Sequence, residues 1–217
     1  MRVEKMDVRI TSQKIIPHVS AEFAAAYGLP EGHQSVGFFS ADNDDVAYLA
    51  ADDATKKARV HVVHARTFYG GRSCSWSKYG GSILVLISGP RVEDVRSGMS
   101  YINDFVSRRA GLYCFDGDEK TEFYAQTIAR AGRYFSEAFG VEEGQPYCYL
   151  FGNPIESAYA IEKALRAGNT VMTRYWAPPS VSNSCGAILT GTESACKTAT
   201  QAYIDALRYA AENPMNL

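Results

Sequence analysis

The sequence predicts an α/β chain of the α+β kind, built from two similar units in tandem. Three observations carry that expectation. First, "AYGLPEGHQSVGFF" at 26–39 is nearly repeated 112 positions later as "AFGVEEGQPYCYLF" at 138–151, with aromatic, glycine, branched apolar, acidic and glycine residues in the same order. Second, Tyr48 and Val60 align with Tyr159 and Val171 at an offset of 111, and Gly89, Tyr101 and Ile102 align with Gly191, Tyr203 and Ile204 at an offset of 102. The offset falls by nine between these pairings, so the first copy holds nine more residues in its intervening loop. Third, short β-branched segments alternate with segments of helical period inside each copy, the pattern of a sheet covered by helices.

The first copy opens on a strand, "VRITSQKII" from Val8, which leads into a short helix, "SAEFAAAY". Ser20 can cap that helix and Gly28 can end it in a left-handed conformation. "QSVGFFSA" is the next strand, followed by a helix over 44–57. "VHVVHA" and "SILVLIS" are short, β-branched and bounded by turn residues, so both are strands. In the closing helix Val92, Val95, Met99, Ile102 and Val106 recur at spacings of three and four, a stripe that should lie on a sheet. The second copy repeats this order. Its long helix starts at Asn153, a cap candidate, with Pro154 at the first helical position and Glu156 three residues after the cap. The boundary falls near 108–120, giving units 1–110 and 111–217, and a duplicated unit of this kind suggests assembly by symmetry.

Bulk properties exclude several function classes. The chain is 46% hydrophobic and 21% charged with a formal net charge of -2, so no basic excess points to nucleic acid and no acidic run points to a disordered tail. The longest apolar run, "ILVLI", is far too short to span a bilayer, and the charged N-terminal stretch has no signal-peptide core. Five cysteines without a C-x-x-C pair fit a reducing compartment better than a disulfide framework, and the expectation is a soluble intracellular protein.

Few residues suggest chemistry. In "ADNDD" at 41–45, three carboxylates could hold a hard cation or a protonated amine, but Val46 stands where an EF-hand needs a ligand and no Glu closes the loop. The alternative is that Asp42 or Asp44 caps the next helix while the others favour its positive end. His61 and His64 lie three apart on a strand and should face opposite sides, which argues against a metal site. Ser88, Gly89 and Pro90 before a helix are a turn or an anion contact. No nucleophile-and-base set, Walker loop, H-E-x-x-H or dinucleotide fingerprint is present, so neither an enzyme nor a cofactor is expected. The two unequal loops are more distinctive: "TFYGGRSCSWSKYGG" carries Phe68, Tyr69, Trp76 and Tyr79 on a glycine-rich segment, and "YWAPPSVSNS" carries Tyr175, Trp176, Pro178 and Pro179. Such rings either cover the neighbouring core or border an opening or a neighbouring chain. Cys74 and Cys185 lie in or beside these loops; inert thiols and a redox or metal role at a symmetry axis are both open.

Together, "SADNDDVAYLAADDATKKARVHVVHARTFYGG", "SGPRVEDVRSGM" and "LTGTESACKTATQAYIDA" with the later "NP" resemble the tandem-domain trimeric shell proteins of bacterial microcompartments, in particular their ethanolamine-utilisation members. The resemblance covers both copies. It implies two circularly permuted microcompartment domains per chain, each a ferredoxin-like sandwich, and a homotrimer that forms a flat pseudohexagonal disc and tiles with other shell proteins. It implies a central pore gated by the long loops, here Phe68, Tyr69, Gly70, Gly71, Arg72, Cys74 and Trp76 in the first copy and Trp176, Pro178, Pro179 and Asn183 in the second. Smaller pores for a small polar metabolite are implied at Asp44 and Asp45. Ser82 stands where the family's second acidic ligand is expected, and a third contact falls at Leu112 and Tyr113. Serine forms a weaker bond to an amine than a carboxylate does, so a diol or related amino alcohol suits this pair as well as ethanolamine. The rival expectation is a small-molecule sensor built from duplicated ferredoxin-like domains. Glycine-rich loops of this composition are expected to populate closed and displaced states, because few backbone groups there are pinned.

Overall fold

The computed structural model describes residues 1–68, 82–178 and 180–215. It divides into two compact units, one formed by Met1–Asp7, Gly111–Ala131 and Phe135–Leu217, the other by Val8–Ala110 and Gly132–Tyr134.

The Val8–Ala110 unit holds β2 (Ile10–Ile16), α1 (Ala21–Tyr27), β3 (Ser35–Ala41), α2 (Asp44–Thr55), β4 (His61–Phe68), β5 (Ser82–Gly89) and α3 (Val92–Asp104). Its four antiparallel strands run in the order β2-β3-β5-β4. Strand alternation sends Phe39, Ala41, Ile83, Val85 and Ile87 to one face, all essentially without exposure, while Val36 and Leu86 on the other face pack with Phe23 and Tyr27 of α1. Helix α1 starts and stops as its sequence dictates. Ser20 Oγ accepts from Phe23 N, and Gly28, at φ 62° and ψ 46°, donates its N–H back to Ala24 and Ala25, a backbone state that costs glycine nothing.

Helix α3 buries Val95, Met99 and Ile102 as the stripe predicts. It then widens into a π-helical turn at Phe105–Arg109, closed by Ala110 N–H to Phe105 O at 3.1 Å. Phe105 and Val106, at the start of this turn, are both buried. Arg109 secures this turn by a forked pair with Asp53 and a 3.1 Å contact to Asp104.

The other unit repeats the order with β7 (Asp118–Ile128), α4 (Arg133–Phe139), β8 (Tyr147–Gly152), α5 (Pro154–Ala167), β9 (Val171–Trp176), β10 (Cys185–Thr190) and α6 (Glu193–Glu212). It adds two short strands, β1 (Val3–Lys5) and β6 (Leu112–Phe115), at one edge, giving β1-β6-β7-β8-β10-β9. Residues 1–7 therefore group with 111–217 and not with 8–110, because β1 pairs with β6. Three or four residues are too few to show a strand period, and this hairpin edge leaves no signal in the sequence. The core joins Cys148 and Leu150 to Ala160, Ala164, Ala199 and Tyr203 on the two helices. Asn153 begins α5 as expected, but its side chain donates to Lys120 O at 2.7 Å and does not cap the helix.

Two details correct the sequence alignment. The 112-residue offset holds at the helix ends, Gly28 and Gly140, yet the strands that follow are related by 111. Ser35 opposes Gly89, so its equivalent beside Gly191 is Pro146, and Gly191 N–H bonds Pro146 O. Phe39 thus matches Leu150, not Phe151. A one-residue slip would have turned every side chain of the strand to the wrong face. On β4, a bulge between Val62 and His64 lets His61 oppose Ser88 and His64 oppose Leu86. Ser88 and Leu86 share a face, so His61 and His64 do as well, against the strict alternation expected. Among the described residues no group of three or more metal-ligating side chains forms.

Candidate functional site

Helix α2 begins where β3 ends, and this junction sets the geometry of the acidic segment. Asn43, not Asp42 or Asp44, is the cap: it has extended φ and ψ of -139° and 126°, and its Oδ1 accepts from Val46 N at 2.9 Å. Asp42 is committed elsewhere, accepting from Arg9 N at 2.9 Å while its own N–H bonds Arg9 O at 3.1 Å. Burial pushes the Asp42 carboxyl above its ordinary range, against the backbone N–H groups of Arg9 and of Asp42 itself and the Arg9 charge.

Asp44 and Asp45 occupy the first turn of α2, where the helix dipole favours negative charge. Asp44 is only 3% exposed. Its Oδ2 accepts from Thr67 Oγ1 of β4 at 2.9 Å, and Thr67 Oγ1 meets the hydroxyl of Tyr48 at 2.8 Å. Because the Thr67 proton points to Asp44, the Tyr48 hydroxyl donates to Thr67, and Tyr48 oxygen accepts in turn from Thr67 N at 3.2 Å. Tyr48 stands four residues after Asp44, one turn along the same helix face. Its ring lies 6.5 Å from that of Tyr134, nearly parallel at 16°. Burial raises the Tyr48 phenol above its usual value, and the nearby carboxylates of Asp44 and Asp45 add to this, so it stays a protonated donor.

Ser82 is 5% exposed and its Oγ has no hydrogen-bond partner among the described residues. It opposes Phe68 on β4, whereas Thr67 opposes Ile83. Neighbouring ladder positions point to opposite faces, so Ser82 and the Thr67 that holds Asp44 leave the sheet on different sides. Asp44, Asp45, Tyr48 and Thr67 are brought together; Ser82 is near in the ladder but not in that hydrogen-bonded group. Leu112 and Tyr113 belong to β6 in the other unit, where Leu112 opposes Tyr124 and Tyr113 packs on Phe123 at 5.8 Å.

The loop residues divide similarly. Phe68 closes β4 and is 49% exposed. Tyr69, Gly70, Gly71, Arg72, Cys74, Trp76 and Pro179 lie outside the described residues. Trp176, expected on the second loop, is the last residue of β9 and sits in a ring cluster with Phe139 at 5.4 Å and Phe151 at 5.0 Å. Pro178 is exposed at a bend. Asn183 adopts φ 60°, a left-handed state that asparagine tolerates, and its N–H bonds Ser180 O at 3.0 Å. Ser180 also holds Ser184 through N–H to O at 2.8 Å and through its hydroxyl at 2.9 Å. The described part of this loop is pinned by backbone and serine hydrogen bonds, while the glycine-rich loop on which the expectation of two states rests lies outside the described residues.

Sequence reasoning missed Thr67, Tyr134 and the capping role of Asn43. The i to i+4 spacing of Asp44 and Tyr48 was legible; the approach of Thr67 to them depends on strand register.

Comparison with known proteins agrees with this architecture. Residues 35–114 match the family model described as BMC domain. The chain is 39% identical over 215 residues to the bacterial microcompartment shell protein EutL of Clostridium perfringens (strain 13 / Type A), covering 99% of each chain. It is 37% identical over 206 residues to EutL of Escherichia coli (strain K12), covering 95% of this chain and 94% of that one. The crystal structure of ethanolamine utilization protein EutL from Leptotrichia buccalis C-1013-b superposes with a TM-score of 0.93 at 36% identity over all of both chains.

Proposed function

Because this chain belongs to the EutL family of bacterial microcompartment shell proteins, we propose that three copies form a pseudohexagonal tile whose pores pass small polar metabolites. Membership makes it a structural component of the microcompartment shell with a BMC-domain fold, and not a catalyst.

The observation that carries the tile reading is the repeated strand order, β2-β3-β5-β4 in one unit and β7-β8-β10-β9 in the other. A chain with two like units offers two similar sides, and three such chains close a six-sided ring. In this reading 1–110 and 111–217 are the two microcompartment domains, with the β1 segment at 1–7 paired into the sheet of the second, the neighbours in the sheet are other shell proteins, and the loops at 68–79 and 176–184 border and gate the central pore. The smaller pore is placed at Asp44 and Asp45, the two carboxylates in the first turn of α2. Its ligand is ethanolamine, a related amino alcohol or a diol. Support comes from the Asp44 carboxylate, which is buried at the start of α2 and oriented by Thr67. A carboxylate binds an ammonium by a charge-assisted bond and can accept from a hydroxyl.

The test is light scattering on the purified protein followed by calorimetric titration with ethanolamine and with a small diol. A trimer that binds one of them supports both parts. A trimer that binds neither removes the metabolite assignment at Asp44, and a monomer that never forms sheets at high concentration overturns the tile.

A further inference from the structure

We propose that the open edge of β2, together with the groove between β2 and α3, receives an extended strand of another polypeptide that carries carboxylates ahead of an apolar run. The duplication itself shows what such an edge accepts. In one unit β7 has a neighbour on each side, β8 and β6, and β6 buries Phe115 to 2% exposure against Phe123 at 5.0 Å, within the core that includes Tyr203 and Leu207. In the other unit β2 holds the position of β7 but pairs only with β3, and no described strand lies on its far side. A strand edge with unpaired N–H and C=O groups is a template for strand addition.

Beside that edge the molecule is concave. Two cavities of about 400 Å³ and 450 Å³ share Gln13 and Asn103 in their linings. Asn103 Nδ2 donates to Gln13 Oε1 at 3.1 Å and to Met99 O at 2.7 Å, bridging edge strand and helix. One cavity offers Val8, Ile10 and Val106 to apolar side chains. The other is flanked by Lys14 and Arg96 and lined by no carboxylate, and neither cation has an ion pair among the described residues.

Register fixes the chemistry of the occupant. Phe39 corresponds to Leu150; Gln13 opposes Phe39 and Ala125 opposes Leu150, so Gln13 corresponds to Ala125 and Ser12 to Tyr124. Leu112 of β6 opposes Tyr124. A strand bound to β2 as β6 is to β7 would set its leucine against Ser12. Running antiparallel, it would bring the residue two places earlier against Lys14. An acidic residue there meets Lys14 on the α1 side of the sheet, the acidic residue before it, opposite Ile15, meets Arg96 on the α3 side, and the apolar run that follows meets Val8 and Ile10. Every described strand of the chain already has its place in a sheet, and the occupant proposed is a strand of another polypeptide.

The probe is a fluorescein-labelled heptapeptide of two glutamates, glycine, leucine, tyrosine, serine and phenylalanine, measured by anisotropy against the full-length protein in its native assembly. Saturable binding is expected, weakened about tenfold or more by the double variant Lys14→Glu, Arg96→Glu and restored to that variant by the peptide with lysines in place of glutamates. Equal binding to both proteins would overturn the proposal by placing the peptide elsewhere. Absence of binding would overturn it too; if the double variant then also changes the mass by light scattering, the edge is covered by a second copy of the chain.

Discussion

The hydroxyl of Thr67 on β4 donates to the carboxylate of Asp44 on α2 at 2.9 Å, and the Tyr48 hydroxyl donates to the same Thr67 oxygen at 2.8 Å. One threonine thus serves as relay between a buried acid and a buried phenol, and it ties the start of a helix to a strand 23 residues away. Thr67→Val keeps the shape and removes the relay. It should lower stability by about 1–3 kcal/mol, since a buried carboxylate loses a donor and a buried phenol loses its acceptor. Urea unfolding should show a lower midpoint with an unchanged slope. A midpoint equal to that of the parent would mean that the two groups find other partners.

Gly132 donates its N–H to Asp52 Oδ2 at 2.9 Å, and the backbone there runs so close to α2 that an added Cβ would stand 2.6 Å from Asp52 Oδ1 and 2.7 Å from Asp52 O. The second of these is backbone and cannot swing aside. Asp52 is wholly buried and paired with Lys56 at 2.9 Å, so it has little room to move. Gly132→Ala should therefore cost about 1–3 kcal/mol through overpacking. Thermal unfolding of the variant beside the parent checks this, and an unshifted midpoint would show that the approach relaxes freely.

His33 supplies a pH dependence whose sign can be worked out. Its Nδ1 lies 2.9 Å from Ser88 Oγ, and burial, followed by the charges of His61, Arg133 and Arg59, lowers its pKa below the ordinary 6.5. A depressed histidine is neutral in the folded state, so its stabilising contribution is complete above pH 6.5 and is lost as pH falls through the lower folded value. The parent should lose stability on acidification faster than His33→Asn, whose amide keeps a polar group near Ser88. Unfolding midpoints of both proteins in steps from pH 7.5 to pH 5 decide it; parallel curves would remove His33 as the cause.

Cys114, Cys148, Cys185 and Cys196 are all buried. Burial raises the thiols of Cys114 and Cys185, and Cys148, which donates to Cys196 O at 3.1 Å, is raised well beyond the thiol range. The hydrogen bond with Cys148 lowers the Cys196 thiol instead, but Cys196 is wholly buried, and covered thiols react slowly. Brief alkylation of the native protein at pH 8, read peptide by peptide by mass spectrometry, should leave these four unmodified and label them all after denaturation. Rapid native labelling of Cys185 would instead mark it as exposed in solution.

What the sequence determined by itself was whatever rests on local period and local chemistry. The duplication, the stripe of α3, the Ser20 cap and the Gly28 stop are all of that kind, because helix period, capping oxygens and left-handed glycine act within a few residues. The resemblance located the acidic segment for the same reason, since "ADNDD" is contiguous. Tertiary structure alone decided what register and long-range contact decide. The bulge in β4 put His61 and His64 on one face, the pairing of β5 sent Ser82 away from Thr67, and a one-residue difference between copies matched Phe39 to Leu150. It also gave β7 a covering strand and left β2 without one among the described residues. Each outcome turns on which residue stands opposite which across a sheet, and in a strand of period two a shift of one residue reverses the result.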